Sequence, residues 1–78
     1  MRIINILEFL NGIPYNMTSF GIWEEQESQD VVDEAEKFFL EQVKRIDKES
    51  DEEYILEEGF FDDKNGNEIY LIWSEINE

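Results

Sequence analysis

The chain has 78 residues, among them 21 acids, six bases, no cysteine and no histidine, and its formal net charge is −15. Residues 1–78 fit one domain, and the apolar content of 41% is enough to form a core without a disulfide or a metal. This composition excludes a thiolate or imidazole zinc site, and the charge argues against direct binding to nucleic acid or to an anionic membrane.

The first predicted element is a short helix. Apolar residues between positions 2 and 10 recur at helical spacing, and Gly12 followed by Pro14 would end the helix. The alternative is a β-hairpin in which residues 2–10 pair with residues 13–20 across Asn11-Gly12, because Asn-Gly is also the strongest short hairpin signal. We favour the helix over the hairpin.

A strand and a second helix are predicted next. Residues 17–23 are rich in aromatic and β-branched side chains, which favours a strand. Ser28 and Asp30 are both good N-cap residues, and we expect a helix from there to about Asp47. Its apolar stripe consists of Val31, Ala35, Phe38, Phe39, Gln42, Val43 and Ile46.

The last predicted element is a C-terminal hairpin. Residues 54–61 and 68–76 flank Asn65-Gly66, the signature of a two-residue type I′ turn. Such a turn fixes the register and thereby decides which side chains share a face. The predicted register pairs Phe61 with Tyr70, Phe60 with Leu71 and Glu58 with Trp73.

These elements predict a small single α+β domain in the order α-β-α-β-β. Its three-stranded antiparallel sheet, with the C-terminal hairpin, would pack against two helices. Both faces of the hairpin are substantially apolar, whereas the two helices would cover one side of the sheet. We therefore expect part of the second face to be exposed, paired in a homodimer, or used for binding by a monomer.

The sequence gives little indication of catalysis. Carboxylates can act as paired acids and bases, but they need a pocket that shifts their pKa values, which so small a domain seldom forms. The DDKNGNE stretch at residues 62–68 lacks the ligand spacing of an EF-hand loop and is better explained as a turn. We expect no enzyme activity, no metal site and no cofactor.

The negative charge is concentrated in two segments. Residues 24–36 contain seven acids and no base, and residues 47–63 contain nine acids and Lys48. Acids three or four residues apart on a helix are spaced much like phosphates along a nucleic-acid strand. Such a row would comprise Asp30, Asp33, Glu34 and Glu41, and residues 51–58 would continue it.

The alternative to partner binding is that the acids only keep a small domain soluble. Against it, an excess of 15 negative charges destabilises the compact state by repulsion and exceeds what solubility requires. Of the two tryptophans, we expect Trp73 in the core and Trp23 at a contact surface. The predicted partner-binding residues are Trp23, Glu24, Glu25, Glu27, Asp30, Asp33, Glu34, Asp51, Glu52, Glu53, Glu57, Glu58, Asp62 and Asp63.

The pattern resembles the small acidic inhibitors encoded by bacteriophages, which include DNA-mimic anti-restriction proteins, uracil-DNA glycosylase inhibitors and anti-CRISPR proteins. It shares with them few bases, no Cys or His, an acidic helix and a C-terminal hairpin around DDKNGNEIYLIW. The opening IINILEFLNGIPYN also looks like the start of many small phage proteins from Gram-positive hosts.

The resemblance implies a protein in the bacterial host cytoplasm that binds a basic nucleic-acid-binding protein or complex. A CRISPR effector is the target we favour, and DNA or RNA binding would be blocked by charge mimicry. One alternative is an immunity protein or antitoxin that neutralises a basic nuclease toxin. Another is an adaptor that dimerises through the second sheet face without mimicry.

Overall fold

The computed structural model describes residues 2–23, 28–51 and 53–77. Within these ranges the fold is one four-stranded antiparallel sheet with one helix on one of its faces. The strand order is β2-β1-β4-β3, so β1 and β4 are central and β2 and β3 are the edges. The elements in chain order are β1 (Arg2–Leu10), β2 (Ile13–Ile22), α1 (Ser28–Ile46), β3 (Glu58–Asp62) and β4 (Glu68–Asn77).

The predicted three-stranded sheet with two helices is therefore wrong, because the first predicted helix is strand β1. Asn11 and Gly12 have φ angles of 51° and 83°, as the two central residues of a type I′ turn require, and Leu10 pairs with Ile13. The alternative hairpin is correct. The order of elements is β-β-α-β-β instead of α-β-α-β-β.

The apolar spacing in β1 was misleading because both faces of this central strand carry apolar side chains. Ile4 and Ile6 are buried under the helix, while Ile3 and Leu7 lie half-buried on the other face. A strand that is apolar on both faces reads as an almost continuous apolar run, which also contains the helical period. Pro14 is tolerated because β2 is an edge strand and need not donate from every amide.

The predicted second helix is confirmed as α1, which begins at Ser28 and ends at Ile46. Its stripe supplies Ala35, Phe39 and Val43 to the core, where all three are fully buried. The partly buried Trp73 packs edge-on against Phe39 with ring centroids 6.1 Å apart, in agreement with its predicted place in the core. The buried core cluster is Ile4, Ile6, Ile22, Ala35, Phe39, Val43 and Leu71.

The C-terminal hairpin exists, but its predicted register is wrong by one residue. The Asp63 amide donates to the Asn67 carbonyl at 3.0 Å, so three residues form the loop instead of two. Gly66, with a φ of 82°, follows a turn that begins at Asp63, the usual arrangement of a three-residue hairpin loop. The observed pairs are Phe60 with Tyr70, Phe61 with Ile69 and Glu58 with Ile72.

The segment between α1 and β3 is irregular where it is described. The predicted strand 54–61 begins only at Glu58, although the Trp73 amide still donates to the Glu57 carbonyl at 2.9 Å.

In the ranges that the structure describes, no helix combines the length and the apolar character needed to cross a bilayer.

Candidate partner-binding surface

The predicted partner-binding residues do not form one row. Glu24, Glu25, Glu27 and Glu52 lie outside the described residues. The others lie just after β2, on the outer face of α1, in the connection before β3, and in β3 with its turn. In that order they are Trp23; Asp30, Asp33 and Glu34; Asp51, Glu53 and Glu57; and Glu58, Asp62 and Asp63.

The predicted acidic row on the helix is interrupted by a base. Lys37 lies three residues after Glu34 and four before Glu41, so it falls within the same exposed face. The Asp33 carboxylate also accepts a hydrogen bond from the side-chain Nε2 of Gln29 at 2.8 Å. Over its length α1 carries five acids and three bases, and its outer face is therefore mixed in sign.

Three of the six bases are engaged within the fold. Arg45 on α1 pairs with Glu8, a buried carboxylate on the helix-facing side of β1. Arg2 pairs with Glu75 at 2.5 Å across β1 and β4. Lys44 donates to the Ser50 carbonyl just after the helix. Because these three side chains are paired within the domain, their positive charges do not balance the acids elsewhere.

The largest unbalanced negative charge lies in residues 49–63, here called the acidic segment. It contains eight acids and no base. Most of its described acids are exposed, including Asp51, Glu53 and Glu57 in the connection and Glu58 and Asp62 on edge strand β3. Charge on an edge strand also hinders pairing with a foreign strand.

Asp63, at the end of this segment, has a structural role. Its carboxylate accepts hydrogen bonds at 2.8 Å from the amides of Asn65 and Asn67 and a further bond from the Asn67 side chain. These bonds, with those from Asn67 foremost, hold the pKa of Asp63 below its ordinary value. The residue closes the turn, and a partner would compete with the turn for its oxygens.

The side of the sheet opposite α1, here called the open face, carries a row of three aromatic rings. Phe9, Tyr70 and Phe60 are paired across β1, β4 and β3. The rings of Tyr70 and Phe60 stack with centroids 4.4 Å apart, and Phe9 lies 5.7 Å from Tyr70. The apolar residues of the open face are Ile3, Leu7, Phe9, Met17, Phe60, Tyr70, Ile72 and Ile76.

Glu58 holds the middle ring of this aromatic row. The Tyr70 hydroxyl donates a hydrogen bond to its carboxylate, and this bond, followed by burial, raises the pKa of Tyr70 above its ordinary value. The neutral phenol and the orientation of its ring are thereby stabilised at physiological pH. An acid and three aromatic rings are held together at one corner of the open face.

Trp23 lies at the opposite end of the same face. It is 61% exposed, and a Cβ added at Gly21 would come within 3.9 Å of its indole Nε1. Gly21 lies on the open face, because its neighbour Ile22 is buried on the face that packs against α1 and successive strand residues alternate between faces. Trp23 is therefore accessible to a partner, and its place in a contact surface stays a prediction.

The prediction from sequence missed the aromatic row because of the register error. It placed Phe60 opposite Leu71, on the other face from Tyr70. The signal that would have found the pair is Asp63, since Asp at the first turn position with Gly at the fourth favours a type I turn and a three-residue loop.

A cleft of about 470 Å³ lies between the end of α1 and the hairpin turn, and its lining includes Asp63. The lowered pKa of Asp63 is the opposite of what a general acid needs at neutral pH. The described residues contain no group of three or more acids placed to hold a metal ion. The charged lining residues of the cleft are Arg45, Asp47, Lys48, Asp62, Asp63 and Lys64.

The geometry thus places two acids of the acidic segment, Glu58 and Asp62, on the open face next to the aromatic row. Comparisons with protein-family models, with curated proteins and with solved structures found no match to this chain.

Proposed function

We propose that this protein is a phage-type inhibitor that binds a basic nucleic-acid-binding surface of a bacterial defence complex. It acts by binding, without catalysis, in the host cytoplasm. DNA or RNA is excluded because carboxylates occupy the positions that phosphates would take. The target class we favour is a CRISPR effector.

The observation that carries this proposal is the acidic segment. Asp51, Glu53 and Glu57 are exposed within fifteen residues that contain no base, while Arg2, Lys44 and Arg45 are engaged within the fold. A surface of this kind attracts a groove lined by Lys and Arg and accelerates encounter with it. The mixed charges of α1 make the helix a weaker candidate for the same role.

Binding to a nucleic-acid groove also needs an element of specificity, because charge alone would attract any basic protein. Exposed aromatic side chains supply it, since they bury large areas with little loss of rotamer entropy. Trp23 and Phe60 are both more than 60% exposed and flank the sheet at opposite ends.

The test removes three charges from the acidic segment without changing side-chain size. A variant with Asp51→Asn, Glu53→Gln and Glu57→Gln is compared with wild type for displacement of labelled target DNA from a panel of purified CRISPR effectors. At about 0.15 M salt, we expect the variant to be roughly three- to 150-fold weaker, because exposed ion pairs contribute about 0.2–1 kcal/mol each.

A matched control changes the same net charge on the helix. Asp33→Asn, Glu34→Gln and Glu41→Gln neutralise three exposed acids next to Lys37 and should weaken inhibition less. Equal inhibition by wild type and the acidic-segment variant would contradict charge mimicry.

A capture from bacterial lysate with a salt-gradient elution identifies the target when no effector of the panel responds. A nucleic-acid-handling complex that elutes as salt rises, and that loses its DNA or RNA when this protein is added, supports the proposal. Capture of a toxin nuclease would indicate that the protein is an immunity protein and not an inhibitor of a defence complex.

A further inference from the structure

The open face is largely apolar and no described element covers it, although Ser19, Asn5 and Ser74 form a polar row across its middle. Helix α1 packs against the opposite side, where Ile4, Ile6 and Leu71 are buried. On the open face, Met17, Phe60 and Ile76 are 61%, 65% and 47% exposed. Exposed apolar side chains grouped on one face of a sheet are typical of interaction surfaces in folded proteins.

The most ordered part of this surface is the aromatic row. Tyr70 is held between Phe9 and Phe60 by ring contacts and by its hydrogen bond to Glu58. A partner that packs on Phe60 therefore meets a ring already held in position, which lowers the entropic cost of binding. Such preorganised aromatic residues are typical interface hot spots.

The charges on the open face indicate what kind of surface would cover it. Glu58, Asp62 and Glu68 lie on this face at its β3–β4 side, next to the aromatic row. Arg2 is the only base in the four strands, and it pairs with Glu75 on the side that faces α1. The apolar surface is thus bordered by acids, with no base from any strand to neutralise them.

A second copy of the chain fits this face poorly. Two open faces brought together would add the same acids from each copy, and each molecule already carries a net charge of −15. Like charges across an interface oppose association, whereas Lys and Arg around an apolar patch would complement both parts of the surface.

We propose that the open face binds a protein surface on which exposed apolar side chains are bordered by Lys or Arg, with Phe60 as the anchor. This inference rests on the proposed function, since it names the part of the molecule that contacts the basic partner. It adds that binding has an apolar component centred on Phe60, which charge mimicry alone does not require.

The test uses two synthetic helical peptides of equal positive charge. One has Leu along one face and Lys along its flanks, and the other has Ser in place of each Leu. Binding to the ¹⁵N-labelled protein is followed by NMR titration. We expect the Leu/Lys peptide to bind at least tenfold more tightly, with shift changes on the open-face residues of β1, β3 and β4.

The anchor is tested by Phe60→Ser, with Ile13→Ser as the matched control. Ile13 is 68% exposed, which is close to the value for Phe60, and its pairing with Leu10 at the turn places it outside the open face. Phe60→Ser should weaken Leu/Lys peptide binding about tenfold or more, while Ile13→Ser should change it less than twofold. Both side chains are exposed, so both variants should fold.

Several outcomes would overturn the inference. These are equal binding of the two peptides, shift changes centred on α1, or equal effects of the two substitutions. A dimer seen by light scattering that Phe60→Ser dissociates would show that a second copy covers the face. Unaltered inhibition by the charge-neutralised variant would refute the proposed function, whereas the peptide titration tests the open face independently of it.

Discussion

The ion pair between Glu8 and Arg45 joins a buried carboxylate to the helix. The Glu8 carboxylate is buried on the side of β1 that faces α1, near Ile6 and Leu71. Arg45 reaches it from the helix, and its Nε also donates to the Gln42 side chain at 2.8 Å. A buried carboxylate is tolerated only when it is paired in this way.

We predict that Arg45→Met destabilises the protein by roughly 2–3 kcal/mol, because Glu8 is left buried without its partner. The value is below that of a fully buried pair, since the Arg45 side chain is 51% exposed. Urea unfolding followed by circular dichroism measures the change.

The control for this substitution is Lys37→Met on the outer face of the same helix, which should change stability by less than about 0.5 kcal/mol. Adding Glu8→Gln to Arg45→Met should restore part of the loss, because the buried group is then neutral. Similar values for Arg45→Met and Lys37→Met would show that the pair contributes little.

At the scale of secondary-structure elements, the turn at Gly12 determines whether β1 and β2 can pair. Its φ of 83° lies in the left-handed region, and an added Cβ would meet nothing within 4 Å. We predict that Gly12→Ala costs about 1–2 kcal/mol from backbone strain alone. Calorimetry should show a melting temperature lower by about 5–10 °C.

Gly21→Ala is the comparison, because Gly21 lies within β2 and its Cβ would make only an ordinary contact with Trp23. It should leave the melting temperature unchanged or raise it slightly, since alanine loses less backbone entropy on folding than glycine. If both substitutions lowered the melting temperature equally, strain at the turn would not be the cause.

The same turn shows why the first element of the fold could not be predicted from sequence, whereas other elements could. Asn11-Gly12 is both a helix stop and a hairpin signal, and only pairing with β4 decides between them. Helix α1 was predictable to within about a residue because Ser28 is a good N-cap residue type and the apolar stripe has a clear period. The register of the last hairpin depended on Asp63, whose hydrogen bonds favour the longer loop.

At the scale of the whole molecule, repulsion among the acids opposes folding. We predict that raising NaCl from about 10 mM to about 0.2 M increases the melting temperature by roughly 5 °C or more, because salt screens exposed like charges. Thermal unfolding at a series of salt concentrations measures this slope.

The variant with Asp51→Asn, Glu53→Gln and Glu57→Gln provides the matched comparison. It should melt at a higher temperature in low salt and show a smaller increase with salt, since the acidic segment contributes much of the repulsion. A salt response equal to that of wild type would place the main repulsion elsewhere in the molecule.

The candidate site could be predicted only in part from the sequence. The concentration of acids between residues 49 and 63 is visible without a structure, whereas the exposure of Trp23 is known only from the fold. Sequence spacing on α1 suggested an acidic row, but Lys37 shares that face. The proximity of Glu58 to Phe60 and Tyr70 depends on strand register, which local sequence determines weakly.

The pairing of β1 with β4 has a consequence for how the protein is made. Arg2 lies opposite Asn77 and Leu10 opposite Ile69, so the two central strands come from distant parts of the chain. The β1–β2 hairpin can form early during translation, but it has no complete core until β4 has left the ribosome. We therefore expect the final folding step to follow the emergence of β4 from the ribosome. Until then the β1–β2 hairpin depends on its own turn for stability.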